Sequence, residues 1–336
     1  MDFDSELLNA IFENSIIKIR KIIENANKNN IILNINKKNE NGDYPLNNVV
    51  HKDNIEIVKL FIEYSNKCNI LLELNEKNKN GWYPFLWAIS NNNIEMVKLL
   101  ISYADNHNII LEINDKNNRG NNPLLRALSN NNIEMIILLT EYAKNHKIVL
   151  ELNIMNNTEW YPLLIVTNIN NIEIAKCLIK YANDNNIILE LNGKNKKGLY
   201  PLLNAIKKGN NEMVKLIFEY ANDHDIILEI NRKDEDGWYP MLSTIYIIYH
   251  EFDFDEGPTP YDIDDVNMDY FEIIELLIKY ANEKNIILEI NEKNNIGWYP
   301  LLTATHINNN KIIELLIKYA NEKNIILEIN GRHKKG

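Results

Sequence analysis

The chain has 336 residues, of which 45% are hydrophobic and 25% charged, and it carries a net charge of −11 at pH 7. This composition is ordinary for a soluble protein, and no apolar run approaches the roughly 18 residues that a membrane-spanning helix needs. An acidic chain is not attracted to phosphate backbones, so neither nucleic acid nor a membrane is expected as a partner. The two cysteines, Cys68 and Cys177, form neither a disulfide framework nor a metal-ligand spacing.

Prolines mark an internal repeat. Six of them, from Pro45 to Pro240, are 39 residues apart, and Pro300 follows after another 60. A fixed period of this length is typical of repeat proteins, in which each repeat contacts mainly its neighbours. We therefore predict a single elongated array over residues 1–336, with eight repeats that start near residues 6, 45, 84, 123, 162, 201, 240 and 300. Glu6 stands at the proline position of the first repeat, as in an end-capping repeat.

Within each repeat the sequence predicts a short helix, a turn, a second helix and a long loop. Pro84 suits the first position of a helix because its missing N–H costs nothing there. In the second helix, Ile94 and Val97 begin one apolar stripe, and Asn92 with Glu95 has the spacing of a capping box. The same spacing recurs in two later repeats, as Asn131 with Glu134 and Asn170 with Glu173.

A short segment rich in β-branched residues follows the second helix, for example residues 109–113 in the third repeat. We predict an extended piece here and no third helix. Residues at the same position in successive repeats form columns. Tyr103 belongs to a tyrosine column that closes the apolar stripe, for which we predict core packing with a bonded hydroxyl. Asn114 belongs to a column that is asparagine in all eight repeats, and we predict a ladder that satisfies loop amides from repeat to repeat.

The segment Gly81-Trp82-Tyr83-Pro84-Phe85-Leu86, followed by Asn93 to Ile101, resembles the ankyrin repeat. The resemblance covers nearly the whole chain and implies a mainly all-α array with long finger loops between helix pairs. Two features depart from the family: Tyr-Pro-Leu-Leu replaces Thr-Pro-Leu-His, and the period is 39 residues rather than about 33. The extra residues fall after the second helix. A HEAT-like array has repeats of about 40 residues, but it would not need the Gly-x-Tyr-Pro turn.

The candidate partner-binding residues come from two columns. By resemblance, the position two before the proline lies on a finger that lines the concave binding face. It holds four tryptophans, Trp82, Trp160, Trp238 and Trp298. A chemically mixed column in the first helix adds Trp87 and Arg126. Exposed tryptophan and arginine are frequent interface hot spots, so we predict that these six residues contact a protein partner. The alternatives are that the indoles pack on the inserted Ile-Ile-Leu-Glu segment, and that the mixed columns are ordinary solvated positions.

An acidic insertion at residues 247–267 interrupts the seventh repeat. Six carboxylates in it form a candidate second contact: Asp253, Asp255, Glu256, Asp262, Asp264 and Asp265. A disordered, solvated loop is the alternative, because proline, glycine and like charges resist packing. Neither Asp-x-Asp pair has the glycine and glutamate that calcium loops use at later positions. His107, His146 and His224 share a column, but neighbouring repeats are about 8–10 Å apart, too far for a single metal ion.

No catalytic motif, phosphate loop or cofactor-binding sequence stands out in the chain. We therefore expect a monomeric, non-catalytic scaffold that binds a protein partner inside the cell, without a cofactor or metal. A second hypothesis makes the chain the repeat portion of a larger protein, since it ends where the Tyr-Pro of another repeat would begin. A sugar-binding module that uses the tryptophan column is a third.

Overall fold

The computed structural model describes residues 3–39, 42–250 and 268–329. In these ranges it contains sixteen helices and no strand, which confirms a mainly α-helical repeat fold. The residues group into two compact bodies, which we call the N-terminal body, Met1–Asn157, and the C-terminal body, Thr158–Gly336. The single array of eight repeats stays a prediction. In the described part of the chain, no helix is both long and apolar enough to cross a bilayer.

Each repeat contributes two antiparallel helices, a short one and a longer one. The N-terminal body contains α1 Phe3–Phe12, α2 Ile16–Lys28, α3 Pro45–His51, α4 Ile55–Cys68, α5 Pro84–Ser90, α6 Ile94–Asn106, α7 Pro123–Ser129 and α8 Ile133–Asn145. The C-terminal body contains α9 Pro162–Ile169, α10 Ile172–Asp184, α11 Pro201–Lys207, α12 Asn211–Asp223, α13 Pro240–His250, α14 Met268–Glu283, α15 Pro300–His306 and α16 Asn310–Lys323. Because α13 continues to His250, the first residues of the predicted insertion are helical.

The start of the second helix lies one residue later than the capping-box prediction. In α6 the N-cap is Asn93, whose side chain accepts the N–H of Met96 at 2.9 Å. Asn92 has a φ of +58° instead, and the same shift by one residue occurs at Asn131 and Asn170. The prediction was wrong because the turn between the helices needs a left-handed residue, a conformation that asparagine tolerates well, before the cap can form.

The tyrosine column is confirmed as core with a bonded hydroxyl in six of its seven members, and the seventh, Tyr181, is half-buried. Tyr103 is 3% exposed, and its hydroxyl accepts the N–H of Leu72 in the preceding repeat at 3.0 Å. Equivalent bonds of 2.8–3.0 Å join Tyr64 to Leu33, Tyr142 to Leu111, Tyr220 to Leu189, Tyr280 to Leu228 and Tyr319 to Leu288. The bond therefore fixes the extended segment of one repeat against the second helix of the next.

The asparagine column is confirmed as a ladder between repeats. The side chain of Asn75 donates to the carbonyl of Ile110 at 2.7 Å and accepts the N–H of Glu112 at 3.1 Å. Asn36, Asn114, Asn192, Asn231 and Asn291 make the same pair of bonds to the repeat that follows each of them. The extended segments thus connect to their neighbours through side chains, which is why they contain no strand ladder.

The tyrosine that precedes six of the seven repeat prolines explains the departure from Thr-Pro. Tyr83 is completely buried, and its hydroxyl reaches the carbonyl of Glu112 at 2.6 Å and that of Asp115 at 3.1 Å in the next repeat. Tyr200 binds Glu229 and Arg232 in the same way. Burial raises the pKa of both tyrosines well above the ordinary value. A threonine side chain is too short to reach the longer loop of the neighbouring repeat.

The finger loops stack closely, and glycine makes this possible. Gly81 has a φ of +77°, and a Cβ at this position would lie 2.8 Å from the Cα of Asn117 on the next finger. The N–H of Asn118 donates to the carbonyl of Asn80 at 3.0 Å, so adjacent fingers are joined through their backbones. This stacking sets the spacing of the side chains that the fingers present.

Candidate functional site

One side chain pins each finger turn and thereby fixes the residue two before the proline. In the third repeat the side-chain oxygen of Asn78 accepts the N–H of Asn80 at 2.9 Å and that of Trp82 at 3.0 Å. The same bonds come from Asn117, Asn195, Asp234 and Asn294 in later repeats. Because the turn is rigid, Trp82 is held in one position beside the first helix of its own repeat.

Three of the six predicted contact residues come together in the N-terminal body. The indole of Trp82 stacks on that of Trp87, with ring centroids 3.8 Å apart and 13° between the planes. His51, at the end of α3, lies 3.9 Å from Trp87. The guanidinium of Arg126 lies 5.6 Å from the Trp82 ring and donates to the hydroxyl of Ser90 at 2.8 Å. We call Trp82, Trp87, His51 and Arg126 the aromatic cluster.

The aromatic cluster borders a depression of about 360 Å³. Its walls are Asp43, Asn48, His51, Asn78, Asn80, Trp82, Trp87, Asn118 and Arg119. Both tryptophans are half-buried, so each indole rests on protein on one side and keeps an accessible surface. An aromatic floor with amide, carboxylate and guanidinium groups around it suits a side chain of a partner protein, because it offers both contact area and hydrogen bonds.

The electrostatics of the cluster favour a neutral histidine beside one permanent cation. Burial lowers the pKa of His51, the charge of Lys52 lowers it further, and the charge of Asp43 opposes part of the shift. Burial likewise lowers the pKa of Arg126, with a smaller contribution from Arg119. An arginine remains charged under all ordinary conditions because its reference pKa exceeds 12. The cation–π contact with Trp82 is therefore independent of pH.

We predict that His51 titrates below the ordinary histidine pKa of about 6.5. Because its folded pKa is depressed, acid destabilises the stacked arrangement as the pH falls through the unfolded pKa. A histidine-detected NMR titration measures this directly. The Trp87→Ala variant is the comparison, since removing the ring should return the pKa of His51 toward its ordinary value. A wild-type pKa at or above that of the variant would contradict the prediction.

In the C-terminal body, two predicted tryptophans belong to a second group of rings. Trp238 lies 4.4 Å from Tyr246, and Trp298 lies 6.3 Å from the same tyrosine and 5.1 Å from His306. Trp298 is only 9% exposed, so little of its ring is accessible. Trp160 is half-buried at the equivalent position of the fifth repeat. The acidic residues Asp253, Asp255, Glu256, Asp262, Asp264 and Asp265 lie outside the described residues.

The sequence reasoning missed His51, Tyr246 and His306. All three stand six residues after the proline of a first helix, in the same variable column as Ser90. The signal was therefore present as a mixed column, but its contact with the tryptophans required the register between helix and finger. The alternative that Trp82 packs on the Ile-Ile-Leu-Glu segment does not describe its ring contact, which is with Trp87 in α5.

The histidines of the shared column lie at the C-terminal ends of the second helices. His107, His146 and His224 each lie 4.1 Å from the tyrosine one turn earlier. His146 also contacts Asp105 of the preceding repeat at 3.0 Å. Among the described residues there is no group of three or more histidine, cysteine or acidic side chains that could hold a metal ion.

Paired helices, stacked fingers and side-chain ladders define a helical repeat protein. The family model for ankyrin repeats, which spans three copies, matches residues 7–107 and again residues 63–149. Residues 7–149 therefore consist of ankyrin repeats, as the resemblance predicted, and not of HEAT-like repeats. Ankyrin repeats serve in general as modules for protein–protein interaction.

One solved structure similar to this chain is the ankyrin repeat domain of Bcl-3, a unique member of the IkappaB protein family. The alignment covers 71% of this chain and 92% of that domain, with 14% identity and a TM-score of 0.49. A likeness at this level carries no argument about function or partners. No curated protein matches the chain.

Proposed function

We propose that this chain is a non-catalytic module that binds a protein partner through the face formed by its finger turns and first helices. The observation that carries the proposal is the aromatic cluster, where Trp82 stacks on Trp87 at 3.8 Å beside the depression. Aromatic and arginine side chains in partly desolvated positions are the residues that dominate binding energy at interfaces. Trp160, Trp238 and Trp298 stand at the equivalent position of later repeats, and the acidic insertion remains a predicted second contact.

The finger turns hold the aromatic cluster rigid. The side chain of Asn78 holds the N–H of Trp82 at 3.0 Å, so the indole does not have to be ordered when a partner binds. A preorganised side chain loses less conformational entropy on association, which improves affinity without a new contact. The stacked pair is thus better suited to recognition than two isolated tryptophans on mobile loops.

We also propose an intracellular location and a monomeric state. Cys68 and Cys177 are both free thiols, as is usual for proteins of reducing compartments. Burial raises the pKa of the Cys177 thiol, which makes it less reactive. Sedimentation velocity of the purified protein tests the monomeric state.

We predict that the double variant Trp82→Ala, Trp87→Ala loses at least tenfold in affinity for the partner, because both ring surfaces of the cluster disappear. The partner is first captured from a lysate of the source cells with the wild-type chain and identified, and its affinity is then measured by calorimetry with purified components. Circular dichroism confirms that the variant remains folded.

A matched control removes three exposed ion pairs from the second helices. Lys59 pairs with Glu56 and with Glu95, each at 3.3 Å, and Lys98 pairs with Glu134 at 2.9 Å. Such surface pairs contribute about 0–1 kcal/mol to stability, so the Lys59→Ala, Lys98→Ala variant should fold and bind normally. Full binding by the folded tryptophan variant, or equal loss in both variants, would refute the proposed face.

A further inference from the structure

A second exposed surface follows the extended segments. Each repeat places an aliphatic side chain at the same outward position, and these residues are between 52% and 90% exposed. We call them the aliphatic ridge. In the N-terminal body they are Ile32, Leu71, Ile110 and Val149, and in the C-terminal body Ile188, Ile227, Ile287 and Ile326. Single exposed aliphatic residues are normal on protein surfaces, but a row that recurs in every repeat is not a random scatter.

The fold does not explain why these positions are aliphatic. The residue after the ridge position is buried. Leu111 is 1% exposed and its N–H donates to the hydroxyl of Tyr142, whereas Ile110 points outward. Ile110 supports its neighbours only through its backbone carbonyl, which accepts the side-chain amide of Asn75 at 2.7 Å. Any residue provides that carbonyl, so a polar side chain would serve the fold equally well. The ridge keeps its apolar character even where the residue changes, as at Leu71 and Val149.

A row of carboxylates runs beside the ridge in the N-terminal body. Glu73, Glu112 and Glu151 stand two residues after Leu71, Ile110 and Val149 and are exposed. Alternate residues of an extended segment point to the same side, so each carboxylate lies next to a ridge residue. Within the described part of the chain, none of the three forms an ion pair with a basic side chain. In the C-terminal body, by contrast, Glu229 pairs with Arg232 and Glu328 pairs with Lys293.

Two lysines in the loops that follow the ridge residues are occupied elsewhere. Lys77 pairs with Asp115 at 2.6 Å, and Lys116 donates to the carbonyl of Met155 at 3.0 Å. Ile110 also lines a groove of about 360 Å³ between α6 and α8, together with Asp105 and Glu141. Aliphatic side chains and unneutralised carboxylates therefore occur side by side along this surface.

We propose that the aliphatic ridge of the N-terminal body docks a basic amphipathic segment of a partner protein. Charge complementarity selects this occupant, because lysine or arginine residues would neutralise the carboxylates while apolar side chains cover the ridge. An anionic membrane would be repelled, and a second copy would bring further glutamates to the same surface. Ridge residues of adjacent repeats are about 8–10 Å apart, the distance between packed helices. Seven residues of a helix span about 10.5 Å, so apolar residues at heptad spacing come close to the spacing of the ridge.

This surface uses none of the residues of the aromatic cluster, so the inference goes beyond the proposed function. The probe is a synthetic, fluorescently labelled helical peptide of about three heptads, with leucine at every seventh position and lysine on one flank. Fluorescence anisotropy with the full chain measures its binding. We expect the lysine peptide to bind at least tenfold more tightly than the same peptide with glutamate in place of lysine.

Two variants locate the binding. Leu71→Ser, Ile110→Ser, Val149→Ser removes the apolar contacts, and Glu73→Gln, Glu112→Gln, Glu151→Gln removes the charges. Each should weaken binding of the lysine peptide at least tenfold, because both parts of the surface contribute. The matched control is Ile17→Ser, Ile133→Ser, Ile137→Ser, which replaces three exposed aliphatic residues outside the ridge and should leave the affinity unchanged.

Several outcomes would overturn the inference. These are failure of the lysine peptide to bind, equal binding of the glutamate peptide, and wild-type affinity in either folded ridge variant. Dimerisation of the chain alone, seen by sedimentation velocity and abolished by the serine variant of the ridge, would assign the surface to a second copy. Equal binding of wild type and charge-neutral variant to vesicles that contain phosphatidylserine would assign it to a membrane.

Discussion

The Tyr83→Ala variant is expected to lower the free energy of unfolding by about 3–5 kcal/mol, the usual cost of truncating a fully buried aromatic residue. Tyr83 has no exposed surface and its hydroxyl binds two carbonyls of the next repeat, at Glu112 and Asp115. The alanine therefore creates a cavity in one repeat and also releases the loop of its neighbour. Urea denaturation monitored by circular dichroism measures the change.

The control for this prediction separates the ring from the hydroxyl. Tyr83→Phe keeps the packing but leaves the carbonyls of Glu112 and Asp115 without their donor, which should cost about 1–3 kcal/mol. The phenylalanine variant should therefore lie between wild type and alanine. A loss below 1 kcal/mol in the alanine variant would show that Tyr83 does not hold the two repeats together. A change in the slope of the denaturation curve would indicate that single repeats unfold separately.

Local signals made the helices predictable. Pro84 is the first residue of α5, as its fixed φ and missing N–H require, and the apolar stripe of α6 is buried. These preferences act within one repeat and recur in the others, so a single sequence was sufficient to read them. The helix start at Asn93 was misplaced because Asn92 and Asn93 are chemically identical and only the backbone angles assign their different roles.

Contacts between repeats were less predictable. The sequence indicated a tyrosine column and an asparagine column, but it did not show that both hold the same extended segment of a neighbouring repeat. The contact between His51 and Trp87 joins residues of different repeats, and it depends on how far one helix is displaced along the other. No propensity encodes that displacement. The displacement of the helices follows from the stacking of the fingers and from the packing of the core between repeats.

The same limit applies to the candidate site. The sequence placed Trp82, Trp87 and Arg126 on one face through the resemblance to ankyrin repeats, but the stacking distance and the depression required the structure. The aliphatic ridge was visible in the repeated Ile-Ile-Leu-Glu pattern, but alternation alone did not say which of the aliphatic residues face solvent. Burial of Leu111 beside exposed Ile110 decided that question.

The Lys207→Ser variant is expected to destabilise the C-terminal body by about 3 kcal/mol. Lys207 forms an ion pair with Asp234, whose side chain is only 3% exposed. Removing one partner of a buried pair typically costs about 3–5 kcal/mol, because the remaining charge stays buried. The lower end applies here since the lysine side chain is itself 29% exposed. Thermal and urea unfolding of the wild type and of the Lys207→Ser variant measure the difference in stability.

The repeats supply their own control for this pair. At the position of Asp234 the other described finger turns have asparagine, and in the third repeat the residue equivalent to Lys207 is Ser90. The double variant Asp234→Asn, Lys207→Ser thus copies a combination that the chain already uses with Asn117. Its neutral amide oxygen can still accept the N–H groups of Asp236 and Trp238, so we expect it to recover at least half of the lost stability. If the double variant is as unstable as Lys207→Ser alone, the cost does not come from the uncompensated carboxylate but from lost packing of the lysine chain.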